Sequence, residues 1–116
     1  MMRAFIVTAS VLTVLLGLAP AANAANPPFC KGVKPCVIGG DAGVTWVNAA
    51  ASSAAQGRKI AARLLRNAQA VHREYGAPEY IDIRVVKKGA CWRKYGGGTA
   101  KPRRSCVQAH VERRLS

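Results

Sequence analysis

Acidic residues are scarce in this sequence of 116 residues. It has 5 Asp and Glu against 18 Lys and Arg, and its formal net charge at pH 7 is +13. None of these few carboxylates forms a recognisable pair motif. An enzyme that hydrolyses its substrate with two paired carboxylates is therefore disfavoured. The same imbalance favours partners that carry negative charge, which are nucleic acid, anionic lipid, an envelope polymer or an acidic protein surface.

Several motifs of catalytic and cofactor sites are absent as well. The sequence has no G-x4-G-K-[ST] phosphate loop, no G-x-S-x-G nucleophile elbow and no dinucleotide fingerprint. The cysteine spacings, C-x5-C and C-x14-C, do not match the spacings of zinc sites. We therefore predict neither a cofactor nor a metal ion.

Long apolar runs are confined to the amino terminus. Arg3 precedes the apolar segment 4–19, Pro20 ends it, and Ala22-Asn23-Ala24 has the small-x-small pattern of a cleavage site. This order predicts a secretory signal peptide at residues 1–24. The apolar segment is short for a membrane span, and no cysteine stands at the cut to carry a lipid. We expect a soluble mature chain in the periplasm or outside a bacterial cell.

The cysteines all lie beyond the predicted signal peptide, at positions Cys30, Cys36, Cys91 and Cys106. An even number of cysteines in a short exported chain predicts two disulfides. Four cysteines allow three pairings. We favour Cys30–Cys36 and Cys91–Cys106, because the members of each pair are close in sequence and enclose turn residues.

The mature chain divides into an arm and a small domain. Residues 25–44 are rich in Pro and Gly, which predicts an extended, disulfide-stapled arm. Residues 45–116 form the predicted α+β domain. Its long amphipathic helix begins at Thr45 and runs to Tyr75, just before Gly76. Within it, Gly57 marks either a break or a close contact, and we favour a single helix.

After Pro78 the apolar period changes to two, which predicts strands. The strand from Tyr80 is followed by a tight turn, a second strand at residues 90–95, a loop and a third strand from Ser105. The predicted fold is therefore α+β. One long helix packs on a three-stranded antiparallel β-meander, with an N-terminal extended arm and two disulfides.

The outer face of the predicted helix carries four cations, Lys59, Arg63, Arg66 and Arg73. Solvated helix faces usually mix charge signs, whereas Glu74 is the one carboxylate in this helix. The stripe is therefore a candidate anion-binding surface. The alternative is an ordinary solvated face.

The segment between Cys91 and Cys106 is a second candidate surface for anions. It contains the cations Arg93, Lys94, Lys101, Arg103 and Arg104. Flexible glycine backbone beside guanidinium groups suits an anion, and Trp92 and Tyr95 offer stacking surfaces for a sugar or base. The alternative is an inert hairpin tip in which one of the two aromatic rings faces the core.

Catalytic candidates are few. We expect His72, at the edge of the apolar helix face, to be a packed or partly exposed histidine. His110 and Glu112 share a strand face, and Arg84 with Asp82 occupies the outer face of the first strand. A carboxylate, a histidine and an arginine are the groups that a small secreted ribonuclease uses, so these residues are weak catalytic candidates.

The function that we expect is non-catalytic binding of an anionic partner. The candidates are an envelope polyanion, an anionic lipid or glycan at the membrane periphery, and an acidic protein surface. Nucleic acid is a less favoured partner. One alternative is a protein-directed inhibitor or accessory subunit, and a second is a ribonuclease-like toxin.

Overall fold

The computed structural model describes residues 27–41, 43–98 and 100–116, and the predicted signal peptide at residues 1–24 lies outside this part. The elements are α1 (Pro27–Cys30), β1 (Cys36–Asp41), β2 (Val44–Ala51), α2 (Ala54–Tyr75), β3 (Tyr80–Lys87), α3 (Ala90–Tyr95), a 3-10 turn (Arg104–Cys106) and β4 (Val107–Arg114). None of the helices in these ranges is long and apolar enough to cross a membrane.

The four strands form one mixed sheet in the order β1-β2-β3-β4. The outer pairs, β1–β2 and β3–β4, are antiparallel, and the central pair β2–β3 is parallel. Parallel neighbours need a crossover connection, and α2 provides it. The predicted α+β content, long helix and two disulfides are confirmed. The predicted three-stranded antiparallel meander is wrong, because β1 and β2 join the sheet and its central pair is parallel.

The first two strands occupy residues that we assigned to the extended arm and to the start of the helix. The prediction of an extended arm at residues 25–44 is wrong for residues 36–41, which form strand β1. The predicted start of the helix at Thr45 is also wrong, because the helix begins at Ala54. The β-branched and aromatic residues at the start of β2 favour a strand. Residues 47–51 are all buried. Because a central strand covered on both faces loses its apolar–polar alternation, the pattern did not reveal it.

Helix α2 has defined caps at both ends. The Ser53 hydroxyl accepts a hydrogen bond from the Gln56 N–H, and the Gln56 side-chain oxygen accepts one from the Ser52 N–H. This arrangement is close to a capping box. At the other end Gly76 adopts φ 78°, and its N–H donates to the His72 carbonyl. The predicted end of the helix at Gly76 is therefore confirmed.

The core lies between α2 and one face of the sheet. Ala61, Leu64 and Ala68 of the helix are buried against alternate residues of β2 and β3. The core residues from the sheet are Val47, Ala49, Ala51, Ile81, Ile83 and Val85. Full burial of one branched aliphatic side chain contributes about 1.5–3 kcal/mol, so this layer holds the helix on the sheet.

Helix α3 occupies residues 90–95, where we predicted the second strand of the meander, so that prediction is wrong. Strand β3 pairs with β2 along one edge and with β4 along the other. Both edges of β3 are therefore occupied, so the segment that follows cannot pair with β3 as the second strand of a meander. After Gly89, at φ 88°, the chain instead turns into one and a half turns of helix over the sheet.

Candidate functional site

The sheet face that points away from α2 carries a group of polar side chains. Asp82 pairs in register with Glu112, and Arg84 pairs with His110. Paired residues of neighbouring strands project from the same face, and residues two apart in one strand do so too. Tyr80 therefore lies on this face as well. We call these five residues the polar sheet cluster.

His110 lies at the centre of the polar sheet cluster. Its Nε2 atom is 2.8 Å from Asp82 Oδ1 and 3.5 Å from Glu112 Oε2. The histidine side chain is 41% exposed and that of Glu112 is 49% exposed. One imidazole nitrogen thus faces two carboxylates on an open surface. The structure brings together His110, Glu112 and Arg84, the weak catalytic candidates, with Asp82 beside them.

The second oxygen of each carboxylate faces another side chain. The Tyr80 hydroxyl donates to Glu112 Oε1 at 3.2 Å. Arg84 Nε lies 3.9 Å from Asp82 Oδ2, a distance for an ion pair but not for a hydrogen bond. Partial desolvation, followed by the hydrogen bond and charge of Glu112, raises the pKa of Tyr80 above its usual value. These contacts leave Asp82 Oδ1 and Glu112 Oε2 directed at His110.

The segment between Cys91 and Cys106 covers the neighbouring part of the same face. Asn48, 3% exposed, donates from Nδ2 to the carbonyls of Gly96 and Gly98 at 2.9 and 3.0 Å. Arg84 Nη1 donates to the Ala100 carbonyl at 3.4 Å. Only 11% of the Arg84 side chain is exposed. The segment therefore lies on the sheet, and it leaves little of the Arg84 guanidinium open to a ligand.

The Cys91–Cys106 disulfide has the predicted partners in a different setting. We expected it to join two neighbouring strands, but it joins α3 to the 3-10 turn before β4. Trp92 and Tyr95 are both half-buried, and the Trp92 ring packs on Gly96. The cations of this segment are exposed, namely Arg93, Lys94, Lys101, Arg103 and Arg104.

The Cys30–Cys36 disulfide closes a loop that lies against α2. Asn67 donates from Nδ2 to the carbonyls of Phe29 and Lys31 at 2.8 and 3.0 Å. Arg63 Nε donates to the Lys31 carbonyl at 3.1 Å. Three hydrogen bonds thus fix the loop to the helix.

Lys59, Arg63 and Arg66 line a shallow depression between α2 and this loop, beside Gly32 and Val33. We call Lys31, Lys59, Arg63 and Arg66 the basic helix–loop face. Arg73, the fourth predicted member of the stripe, lies in another depression with Arg113 and Arg114. The structure therefore divides the stripe into two basic surfaces.

Most of the cations in the described part of the chain have no internal ion pair. Among the side chains that the structure describes, Arg84 is the sole Lys or Arg with a carboxylate within 4.0 Å. The carboxylates of Asp82 and Glu112 lie against His110 on the sheet. His72 donates its Nδ1–H to the Pro78 carbonyl at 2.8 Å, which is the packed role that we expected.

The chain matches no family model, no curated protein and no solved structure. Its function is therefore inferred from this geometry.

Sequence reasoning missed several residues of these sites, among them Lys31, Asn48, Tyr80 and Asn67. Asn48 was assigned to the helix, so its position on the sheet was hidden. Tyr80 had a usable pattern, because it stands two residues before Asp82 in a predicted strand and hence on the same face. Asn67 had no such pattern, because its contacts are to a loop that is distant along the chain.

Proposed function

We propose that this protein is an exported, non-catalytic binding protein for an anionic partner, and that the basic helix–loop face is its contact surface. The observation that carries the proposal is a disulfide-closed loop hydrogen-bonded to α2 through Arg63, beside a depression that Lys59, Arg63 and Arg66 line and to which no described carboxylate contributes. The two disulfides are consistent with the oxidising periplasm or the exterior of a bacterial cell.

The rigidity of this surface supports a binding role. The bond from Arg63 Nε to the Lys31 carbonyl holds the guanidinium in place, while the residue itself is exposed. Binding costs less free energy when the contact groups are ordered beforehand. A guanidinium also offers forked donors to phosphate, sulfate or carboxylate oxygens. The favoured partner is therefore a polymer that repeats such groups, such as an envelope glycan or lipid headgroup array.

The two alternatives receive less support from the geometry. An inhibitor that enters an acidic cleft needs a projecting loop, whereas the segment around Gly96 and Gly98 is bonded to Asn48 on the sheet. A ribonuclease needs an arginine open to the phosphate, and Arg84 is mostly covered. The polar sheet cluster supplies the carboxylate and histidine that cleavage would need, but its own arginine is covered, and the exposed Arg114 lies beside the cluster opposite Tyr80.

The test of the proposed surface is a K59Q/R66Q variant with heparin as a sulfated glycan probe. These two cations have no hydrogen bond to the loop, so their replacement leaves the fold in place. We expect weaker binding of heparin by this variant. The slope of log Kd against log salt concentration should decrease by about one to two, because a complex with two fewer cationic contacts releases fewer counterions when it forms. Titration calorimetry at several salt concentrations measures both quantities.

The matched control is R103Q/R104Q, which removes the same charge from the segment between Cys91 and Cys106. Binding by the helix–loop face predicts a smaller loss of affinity in this control than in K59Q/R66Q. Equal losses in the two variants would mean that heparin responds only to net charge. A larger loss in the control would transfer the contact surface to that segment and contradict the proposal.

A further inference from the structure

We infer that Asp82, His110 and Glu112 form a binding site for one divalent first-row transition metal ion of the Zn²⁺ class. The site lies on the polar sheet cluster, on the opposite side of the sheet from α2. It is independent of the proposed function, because none of its three ligands belongs to the basic helix–loop face. The cysteine spacings on which the expectation of no metal rested do not bear on these residues.

Two of the three separations between donor atoms are close to those of a coordination shell. Ligand atoms lie about 2.0–2.2 Å from Zn²⁺, so neighbouring ligands around one ion are about 3–3.5 Å apart. His110 Nε2 is 2.8 Å from Asp82 Oδ1 and 3.5 Å from Glu112 Oε2. The donor atoms of all three residues lie within 4.8 Å of one another. Binding of one ion would require side-chain rotations that bring the carboxylate oxygens closer together, and the exposure of His110 and Glu112 leaves room for them.

Neighbouring side chains contact the second oxygen of each carboxylate, one through a hydrogen bond of the kind that orients ligands in metal sites and one at ion-pair distance. Tyr80 holds Oε1 of Glu112, and Arg84 lies beside Oδ2 of Asp82. The remaining oxygen of each carboxylate therefore faces His110 Nε2. Three strand residues from two adjacent strands form this arrangement, so the sheet fixes their spacing.

The ligand types select the class of metal ion. One imidazole nitrogen with two carboxylate oxygens suits Zn²⁺, Mn²⁺ or Fe²⁺, whereas Mg²⁺ and Ca²⁺ take oxygen ligands. Three protein ligands leave coordination positions open, as in catalytic zinc sites. Because His110 and Glu112 are exposed on an open face, those positions would be accessible to water or an anion.

The alternative without a metal is a histidine that simply hydrogen-bonds to Asp82. Addition of Zn²⁺ alone distinguishes the metal site from this hydrogen bond. The oxidised protein is first purified in the presence of a chelator, and the chelator is removed before Zn²⁺ is added. Calorimetry and competition with a chromophoric chelator should show saturable binding of one ion per chain. Nitrogen NMR of the unmodified protein should show a change at His110 Nε2. His72, whose Nδ1 bonds to Pro78, should keep its signal.

The variants H110Q and E112Q should each weaken Zn²⁺ binding by about tenfold or more. The control E74Q removes an exposed carboxylate from α2 and should bind Zn²⁺ like the unmodified protein. Heparin binding should be retained in H110Q, which keeps this inference separate from the proposed function. Absence of saturable binding, no change at His110 Nε2, or full affinity in H110Q would overturn the inference.

Discussion

At the scale of single residues, the pKa of Tyr80 depends on its contacts within the polar sheet cluster. Its hydroxyl donates to Glu112 Oε1, and the neutral phenol is the form that this bond favours. Desolvation is the larger cause of the raised Tyr80 pKa, and the Glu112 bond and charge add to it. A change at Glu112 should therefore alter the titration of Tyr80 without returning it fully to normal.

We predict that E112Q lowers the Tyr80 pKa towards its usual value of about 10. An ultraviolet titration of phenolate in the presence of a chelator measures it, and Y80F assigns the transition among the 3 tyrosines. The folded state binds the Tyr80 proton more tightly than the unfolded state does. The contribution of this proton to the free energy of unfolding is therefore complete below about pH 10, and it is lost as pH rises through the raised pKa. An unchanged Tyr80 transition in E112Q would contradict the bond.

At the scale of elements, local patterns predicted the parts of the fold whose environment is simple. Strand β3 has one face towards α2 and one towards solvent at its start, so its alternation from Tyr80 is visible. Helix α2 ends at Gly76, whose positive φ suits glycine. Strand β2 is covered on both faces, so its sequence lacks alternation. Its run of small residues, rich in alanine, is also typical of a helix. The S-x-x-Q pattern at Ser53 was the local indication of the true helix start.

The close contact of α2 with β4 explains a glycine inside a helix. Gly57 is buried, and a Cβ atom built there would lie 2.6 Å from the Cβ atom of Gln108. We predict that G57A destabilises the protein by up to about 2 kcal/mol, because overpacking of about 1–3 kcal/mol exceeds a gain in helix propensity of about 1 kcal/mol. Urea unfolding measures the change.

Two further variants separate the contact from helix propensity. A62G, at an exposed position of α2, should cost about 1 kcal/mol from propensity alone. Addition of Q108G to G57A should recover part of the loss, since it removes the opposing Cβ atom. Stabilisation by G57A of the size lost in A62G would show that Gly57 has no packing role.

At the scale of the whole molecule, the sheet separates two surfaces. The basic helix–loop face lies on the α2 side, and the polar sheet cluster lies on the other. Charge pattern along α2 located Lys59, Arg63 and Arg66, because these residues are neighbours in one element. The cluster depends on the pairing of β3 with β4, which placed His110 beside Arg84. The hydrogen bonds from Arg63 and Asn67 to the first loop depend on tertiary contacts that no local pattern encodes.

The two disulfides should therefore affect different properties. In the chain-entropy model the 15-residue separation of Cys91–Cys106 is worth about 3 kcal/mol, and the 6-residue separation of Cys30–Cys36 about 2 kcal/mol. We predict that C91A/C106A lowers stability more and leaves heparin affinity near normal, because α3 lies away from α2. C30A/C36A should lower stability less and weaken heparin binding, because the loop that positions Arg63 is released. Urea unfolding and calorimetry on both variants test this separation, and equal heparin affinities would show that the loop does not organise the binding face.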